Sequence, residues 1–512
     1  MNTIQKLVLN SKIEKILTEL EPMLSKAYGV EEFKFRSYQK KSIKQMILED
    51  KGQIIHGTGT GKSITAAVTC YVYYILNGKL PNTFLINAHQ TMLIDQLLED
   101  YYKVLGCAGI KAGYSVLYSK SFSDNYLEEL RNELEFPFNY KKVSSTNSPI
   151  QILEDINNSQ SQNIPHFVFS TYHSANKLEG IEFDIINNDE AHEMVNSQFE
   201  ELTDILNAKK KFYYTATQKI TESVEGIGMN NVAKFGKVLD RLSPKDAIER
   251  DIIVAPRMLK AITDIPLNTE DVDVSSGRII YQSLVELEKF EDVPRLLVTA
   301  KDTKHIEMIM NSQAISDLIN RGYKIFDMSS KRGFYINNQL FTGDKLDFIK
   351  EVKSTSETNQ PMVLIQIKMA DTGINIKPLN AMITFRGLSK LTLQQTYGRI
   401  ARVLEGKEYG WVIIPDISLA NKDMKEKIQS FINYLRSIYP DFDPSQDYDP
   451  NDFIPSNEID EVEDLNEVET RNRLFGQMIE DFRVEVEKNI EIQKTKNRMS
   501  KPLTQNELIP SW

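Results

Sequence analysis

Cysteine is scarce in this chain, which has two cysteines, Cys70 and Cys107, among 512 residues and no Cys-X-X-Cys pair. Neither a disulfide framework nor a cysteine-based zinc site is therefore expected. Long apolar runs are also missing, because none approaches the roughly 18 uncharged residues that span a bilayer. Lys6 and Lys12 interrupt the N-terminal stretch 1–20, which is not the pattern of a signal peptide. We expect a soluble, cytoplasmic protein with no membrane partner.

Basic residues are absent from residues 441–470, which hold seven Asp and five Glu. The local charge of −12 accounts for the net charge of −11, so the rest of the chain is close to neutral, at about +1. A neutral body can still carry a basic groove, because phosphate contacts depend on local charge. The acidic total therefore does not exclude a nucleic-acid partner. The segment itself resembles a linker or a disordered stretch.

Apolar strands alternate with helical patterns in two successive series. A chain of this length suggests about two or three domains, and two such series predict an α/β fold with two tandem parallel-sheet lobes. We call them lobe 1 (residues 34–250) and lobe 2 (residues 251–440). A helical N-terminal extension (1–33) precedes them, and an acidic linker with a C-terminal helix (441–512) follows. Residues 111–163 interrupt the pattern of lobe 1 and are predicted to be an insertion.

Closely spaced glycines between a predicted strand and a predicted helix mark residues 56–63, His-Gly-Thr-Gly-Thr-Gly-Lys-Ser. Glycines let backbone N–H groups turn toward a triphosphate, and the helix N-terminus adds partial positive charge. Lys62 would reach the β- and γ-phosphates, and the Ser63 hydroxyl would bind Mg²⁺. His56 stands where the strict pattern has glycine, so a fortuitous glycine-rich turn is the alternative. Gln39 could bind an adenine edge through its amide, or it could be an ordinary polar residue on a helix.

Polar residues end three further strands of lobe 1. Ser170–Thr171 could hold a nucleic-acid phosphate or cap the following helix. Asp189–Glu190 could hold Mg²⁺ through water and activate the attacking water, or they could form a solvated acidic turn. Thr215–Thr217 carries little information by itself.

An arginine pair follows a glutamine in lobe 2. The pattern predicts one helix over 392–402, which places Arg399 and Arg402 on one face because they are separated by three residues. Two such arginines could contact a γ-phosphate together, whereas a lone pair would more often be surface charge. Gly398, which permits close approach, and Gln395 favour the phosphate interpretation.

The order of these motifs resembles the motif set of superfamily 2 helicases. The residues that carry the resemblance are Arg36–Gln39, Thr58–Ser63, Asp189–His192, Thr215–Thr217, Thr372–Asn375 and Gln395–Arg402, and they cover about residues 34–420. The resemblance implies two RecA-like lobes, with ATP and Mg²⁺ in the cleft between them and nucleic acid across both. Two positions depart from the commonest pattern: His56, where Gly or Ala is usual, and Asn375, where Asp is frequent.

The resemblance also implies a role for each matching residue. Nucleotide contacts would come from Arg36, Gln39, Gly57, Thr58, Gly59, Thr60, Gly61, Lys62, Ser63 and Gly373. Ser63 and Asp189 would hold Mg²⁺. The catalytic residues would be Lys62, Glu190, which activates water, Gln395, which lies near that water, and Arg399 and Arg402, which act as arginine fingers. Coupling would involve His192, Thr215 and Thr217, and nucleic-acid contact would involve Ser170, Thr171 and Thr372.

The segment between the lobes narrows the resemblance. Phe235–Val238 followed by Ser243–Ile248 resembles restriction-enzyme motor subunits and is similar to phage and poxvirus DNA-dependent helicases. An ATP-dependent helicase or translocase on duplex or branched DNA is therefore favoured over one acting on RNA. It would work in the cytoplasm of a bacterium or of a phage or viral host, with replication, recombination, transcription or restriction proteins as candidate partners. An ATP-gated nucleic-acid-binding or scaffold subunit, or an interaction subunit whose acidic segment mimics nucleic acid, stays open.

Overall fold

The computed structural model describes residues 3–117, 144–195, 198–220, 228–261, 271–329, 331–343, 345–367, 376, 378–385 and 396–415. Several predictions lie outside these residues: those for Thr372, Gly373, Asn375 and Gln395, and those for the acidic linker and C-terminal helix. Within the described ranges, no helix combines the length and the apolar character needed to cross a membrane.

The first sheet contains eight of the described strands, all parallel. Strands β1 to β8 are Lys51–His56, Thr83–Ala88, Gly113–Leu117, Ser144–Thr146, His166–Thr171, Glu182–Asn188, Asn207–Thr215 and Lys237–Leu242. Their order across the sheet is β4-β3-β5-β2-β6-β7-β1-β8. Strands such as β2 and β5 are buried along their whole length, as expected where helices cover both faces of a parallel sheet.

Helices pack around this sheet and extend its core toward the N-terminus. Helices α1 to α9 are Thr3–Tyr28, Ser37–Leu48, Lys62–Leu76, Thr91–Cys107, Pro149–Ser161, Tyr172–Ala175, Leu202–Ile205, Val232–Phe235 and Pro244–Glu249. Along α1, Leu17, Leu20 and Leu24 recur every three or four residues and are fully buried, because that spacing places them on one helix face. The N-terminal extension is therefore a helix that shares the core of the first sheet.

The second sheet also contains eight described strands, and most of them are parallel. Strands β9 to β16 are Ala255–Ala261, Arg295–Thr299, Lys324–Ser329, Gly333–Ile336, Gln339–Leu340, Met362–Gln366, Ala381–Thr384 and Tyr409–Pro415. Their order is β13-β12-β11-β14-β10-β15-β16-β9, with β12 and β13 forming an antiparallel hairpin at one edge. Helices α10 to α13 are Asp271–Leu287, Thr303–Met310, Gln313–Asn320 and Lys345–Ser356. Two tandem, mainly parallel sheets confirm the predicted α/β architecture.

Two details differ from the sequence-based expectations. Residues 113–117 form β3, which pairs with β5 inside the sheet, so the start of the predicted insertion is an integral strand of lobe 1. The pattern predicts one helix over 303–319, but α11 ends at Met310 and α12 begins at Gln313. Ser312 caps α12, and a Cβ placed on Gly277 of α10 would lie 2.0 Å from its Oγ atom. The break therefore lies where α10 packs closely against the second sheet's helices.

The strand order places the predicted motifs at one edge of the first sheet. Strands β6, β7 and β1 are neighbours, and the carboxyl ends of parallel strands form the edge where ligands bind in α/β sheets. The glycine loop follows β1, the acidic pair follows β6, and the threonines end β7. After β8 the chain forms α9 and then enters the second sheet at β9. Between α9 and β9, Ile253 pairs with Arg402 in an isolated bridge.

Candidate nucleotide site between the two lobes

The glycine loop joins β1 to α3 in five residues. Gly59 and Gly61 have φ angles of 84° and 80°, in the left-handed region that glycine adopts without strain. The Lys62 ammonium donates to the carbonyl oxygens of His56 at 3.1 Å and Gly57 at 3.3 Å. The lysine therefore lies against the loop backbone, where a phosphate chain bound by the loop would meet its charge.

The N-terminus of α2 contacts this loop directly. A Cβ placed on Gly61 would lie 2.9 Å from the Gln39 Nε2 atom, and Gln39 Oε1 accepts a hydrogen bond of 3.0 Å from the Arg36 backbone. The Tyr38 hydroxyl donates to the Thr60 carbonyl oxygen at 2.6 Å. The structure thus brings Gln39 to the loop, whereas the Arg36 side chain donates to the Asp251 carbonyl oxygen at 3.3 Å. It adds Tyr38, a positioning residue that the motif comparison missed although it adjoins Gln39.

The acidic pair follows β6 with an unusual backbone. Glu190 has φ 50° and ψ 48°, a left-handed conformation that is rare outside glycine. Burial and the adjacent Glu190 charge raise the pKa of Asp189 to about 7. Burial would also raise the pKa of Glu190, but the positive charge of Lys62, ahead of other nearby groups, holds it below its ordinary value. Two neighbouring carboxylates that are partly desolvated favour a bound cation.

The residues predicted to couple the motifs form one chain of contacts. The His192 Nδ1 atom lies 2.9 Å from the Thr215 hydroxyl, which donates to the Thr217 carbonyl oxygen at 2.9 Å. The same nitrogen lies 3.4 Å from Glu190 Oε2. The end of β7 is therefore connected through one imidazole to the acidic residue that follows β6.

The two arginines of lobe 2 approach this edge from the other sheet. Residues 396–400 are helical, but Arg402 pairs with Ile253 in an antiparallel bridge, so the prediction of one helix through Arg402 is wrong. The helix ends because the Ala401 carbonyl accepts a hydrogen bond of 2.8 Å from the Val254 backbone instead. Burial lowers the pKa of Arg399, with the Glu190 charge opposing this shift.

The two arginines also act on each other electrostatically. Burial and the Arg399 charge lower the pKa of Arg402 to about 9, because a like charge disfavours the protonated form. Arg399 also contributes to the low pKa of Glu190 in lobe 1. Two neighbouring cations beside an acidic residue are an arrangement that an additional anion, such as a phosphate, would stabilise.

The loop and the arginine segment touch across the lobes. A Cβ placed on Gly398 would lie 2.4 Å from the Thr58 Cβ, and one placed on Gly59 would lie 3.6 Å from the Arg402 Cγ. A small cleft at this contact is lined by Gly57, Thr58, Ser243, Pro244, Ala247, Ile253 and Gly398.

The donor set at this contact fits a nucleoside triphosphate with a divalent cation. It combines a glycine loop at a helix N-terminus, a lysine and two arginines. The buried Thr58 Oγ1 atom has no hydrogen-bond partner among the residues that the structure describes. No cluster of three or more His, Cys, Asp or Glu side chains suited to a metal occurs in those residues. A cation held by Ser63 and Asp189 would therefore share its remaining positions with phosphate oxygens and water.

The hydroxyls at the end of β5 are less accessible than the sequence suggests. Ser170 is fully buried, and its hydroxyl donates to the Thr171 carbonyl oxygen at 3.1 Å. Thr171 occupies the cap position of α6 without a side-chain capping bond, and its hydroxyl lies 3.3 Å from the Ser174 hydroxyl. The capping alternative is therefore not the observed arrangement, and contact with nucleic acid stays a prediction.

Comparison with known proteins bears on this site. Residues 32–220 match the ResIII family model, described as the res subunit of type III restriction enzymes. The match covers the loop, the acidic pair and the threonines. No curated protein matches the chain.

Two solved structures share the fold across both lobes. One is the ATP-dependent Type ISP restriction-modification enzyme LlaBIII bound to DNA, with a TM-score of 0.57 and 20% identity over 79% of this chain. The other is a nuclease-deletion mutant of the Type ISP enzyme LlaGI in complex with a DNA substrate mimic, with a TM-score of 0.53 and 21% identity over 79%. The chain spans about 30% of each of these longer proteins. The two sheets are thus similar in fold to part of these two restriction-modification enzymes.

Proposed function

We propose that this chain is an ATP-dependent motor of superfamily 2 that translocates on DNA. The observation that carries the proposal is that the phosphate loop of lobe 1 and the arginine segment of lobe 2 touch: a Cβ placed on Gly398 would lie 2.4 Å from the Thr58 Cβ, and one placed on Gly59 would lie 3.6 Å from the Arg402 Cγ. When residues of both lobes bind and hydrolyse the same nucleotide, the closure of the lobes depends on that nucleotide. Alternating closure and opening, with each lobe holding backbone phosphates, would move the chain along a strand.

The proposed roles follow the contacts around the loop. Magnesium-bound ATP would supply the phosphoryl group that water attacks. Lys62 would hold its phosphates, while Ser63 and Asp189 would hold the cation. Glu190, whose pKa is kept low, would accept the proton of the attacking water. The two arginines would stabilise negative charge that spreads over the γ-phosphate oxygens.

Duplex or branched DNA is the proposed substrate for translocation. The ResIII match over residues 32–220 supports a restriction-type motor, and the two similar structures are described as bound to DNA or in complex with a DNA substrate mimic. The segment Phe235–Ile248, which resembles the linker of restriction-enzyme motor subunits, points the same way.

The test is ATP turnover measured against single-stranded, duplex and branched DNA and the matching RNAs. We expect duplex or branched DNA to stimulate turnover most, and we expect the chain to displace a triplex-forming strand in an ATP-dependent reaction. Turnover without displacement would instead favour the ATP-gated binding or scaffold function. An inability to bind ATP would refute both functions.

A further inference from the structure

His56 is the residue of the loop that departs from the glycine pattern, and its side chain has a defined place. It ends β1, is fully buried, and lies with its ring edge-on to Tyr38 at a centroid distance of 5.2 Å. Its Nε2 atom lies 2.9 Å from the Asp240 Oδ2 atom on β8. The structure thus accommodates a bulky, buried residue at this position, and Asp240 is its polar partner.

Asp240 accepts hydrogen bonds from three residues on two other elements. Besides His56 of β1, its carboxylate accepts hydrogen bonds from the Ser42 hydroxyl at 2.9 Å and from the Lys41 ammonium, both on α2. Burial would raise the pKa of Asp240, but these donors hold it below its ordinary value. The carboxylate is therefore charged at neutral pH, and a charge-assisted hydrogen bond is stronger than a neutral one.

Asp240 contacts His56 because the pairing of β1 and β8 is irregular at this point. The register between β1 and β8 shifts between Gln53 and Ile54, so Ile54 pairs with Asp240. Such an irregularity changes the sheet face on which later side chains lie. From Asp240 the chain runs through Ser243 and Pro244, which line the cleft.

These contacts connect α2, β8, the phosphate loop and Lys62. Helix α2 carries Gln39, which meets Gly61 of the loop. The His56 carbonyl accepts from Lys62, and Tyr38, which packs on His56, donates to Thr60.

We propose that His56 and Asp240 form a positioning pair that holds the phosphate loop and α2 at a fixed spacing from β8, and thereby sets the affinity of lobe 1 for a nucleoside triphosphate. The inference rests on the proposed function, since it assigns ATP to this loop. Neither residue touches the nucleotide, because both act through the backbone of the loop.

The test is equilibrium binding of a fluorescent, non-hydrolysable ATP analogue with Mg²⁺ to the full chain. His56→Ala and Asp240→Asn should each weaken binding by about tenfold or more, the scale of one hydrogen bond to a charged group. The double variant should be no weaker than the worse single variant, because both changes break the same contact. His56→Gln, whose amide nitrogen can still donate to Asp240, should restore most of the affinity.

Asp184→Asn is the matched control. Asp184 is also a buried carboxylate on a strand of this sheet, and it accepts from the Thr83 backbone and the exposed Lys209, both at 2.8 Å. It should change thermal stability without changing the dissociation constant. If folded His56 and Asp240 variants keep the wild-type affinity for the analogue, the positioning pair is refuted and the proposed function is not. The same holds if Asp184→Asn loses as much affinity as they do. A wild-type chain that binds no ATP would overturn the proposed function itself. If His56→Ala does not fold, the comparison of His56→Gln with Asp240→Asn decides.

Discussion

Glu190 is held in a backbone conformation that a non-glycine residue adopts at a cost of about 1–3 kcal/mol. Its carbonyl accepts from the Glu193 backbone at 2.9 Å, and its Oε2 atom lies 3.4 Å from His192 Nδ1. Neighbours that fix such a conformation are typical of a residue whose side chain must point in one direction. The low pKa that Lys62 helps to maintain keeps this carboxylate ready to accept a proton.

Glu190→Gln should therefore bind ATP but hydrolyse it at least about a hundredfold more slowly, because the amide cannot accept the proton of the attacking water. Steady-state turnover and analogue binding, measured on the same preparation, separate the two effects. Glu182→Gln, an exposed residue at the other end of β6, is the control and should behave as wild type. Normal cycling by Glu190→Gln would contradict the assigned role.

Asp327 provides a residue-scale test of pH dependence in lobe 2. It is fully buried, Arg332 Nε donates to one of its oxygens at 3.0 Å, and the other oxygen has no hydrogen-bond partner among the described residues. Burial raises its pKa from 3.8 to about 6, with Arg332 opposing the shift. The folded chain therefore binds this proton more tightly than the unfolded chain. The stability that it contributes is present below pH 3.8 and is lost as the pH rises through about 6.

Asp327→Asn should remove this dependence, because an amide does not titrate. Relative to wild type, the variant should gain up to about 3 kcal/mol of stability between pH 4 and 7. Calorimetric unfolding across that range measures the difference. Asp317→Asn, on the exposed side of α12, should follow the wild-type profile. Parallel profiles for Asp327→Asn and wild type would show that burial does not raise this pKa.

At the scale of elements, helices and strands that are marked by neighbouring residues in the sequence were predictable. Contacts between segments that lie far apart in the sequence were not. Strands β1, β2, β5, β6 and β7 and helices such as α3 follow from apolar runs and glycine boundaries, which are local, whereas β3, β4 and β8 were not predicted as strands. The helix that carries Arg399 ends early because Ala401 bonds to Val254, about 150 residues away along the chain. His56 and Asp240 are likewise far apart in sequence, so no motif announces their contact. Local patterns cannot report such partners.

The bridge to Ile253 does not alter the role in ATP hydrolysis that we propose for the Arg402 side chain. Its backbone pairs with Ile253, which Ala can also do, so Arg402→Ala should leave the fold intact. ATP turnover should fall by about 10³-fold, the effect of losing an arginine finger. Arg402→Lys should recover little, since an ammonium cannot make two parallel bonds to a phosphate. Arg321→Ala, which removes an ion pair with Glu288 on the same lobe, is the control. Wild-type-like turnover in Arg402→Ala would contradict the role.

At the scale of the whole molecule, the proposed motor depends on how closely the two sheets' loops meet. Gly398 of lobe 2 has no room for a side chain, because a Cβ there would lie 2.4 Å from the Thr58 Cβ and 2.9 Å from its Cγ2. The sequence has a glycine beside the arginines. The structure shows that this position needs glycine because the Thr58 side chain of the phosphate loop fills the space next to it. At the same contact, a Cβ placed on Gly59 would lie 3.6 Å from the Arg402 Cγ.

Gly398→Ala should therefore separate the lobes at this point rather than destabilise either core. We expect turnover to fall by about tenfold or more, because a displacement of about 1 Å of a catalytic group has an effect of that size or larger. Analogue binding to lobe 1 and the unfolding temperature should change little. Adding Thr58→Gly removes the three atoms nearest to the new methyl group, so the double variant should regain activity relative to Gly398→Ala, with Thr58→Gly alone as its reference. Unchanged turnover in Gly398→Ala would mean that the loop and the arginine segment do not approach each other during the cycle, and that the two lobes do not share one nucleotide.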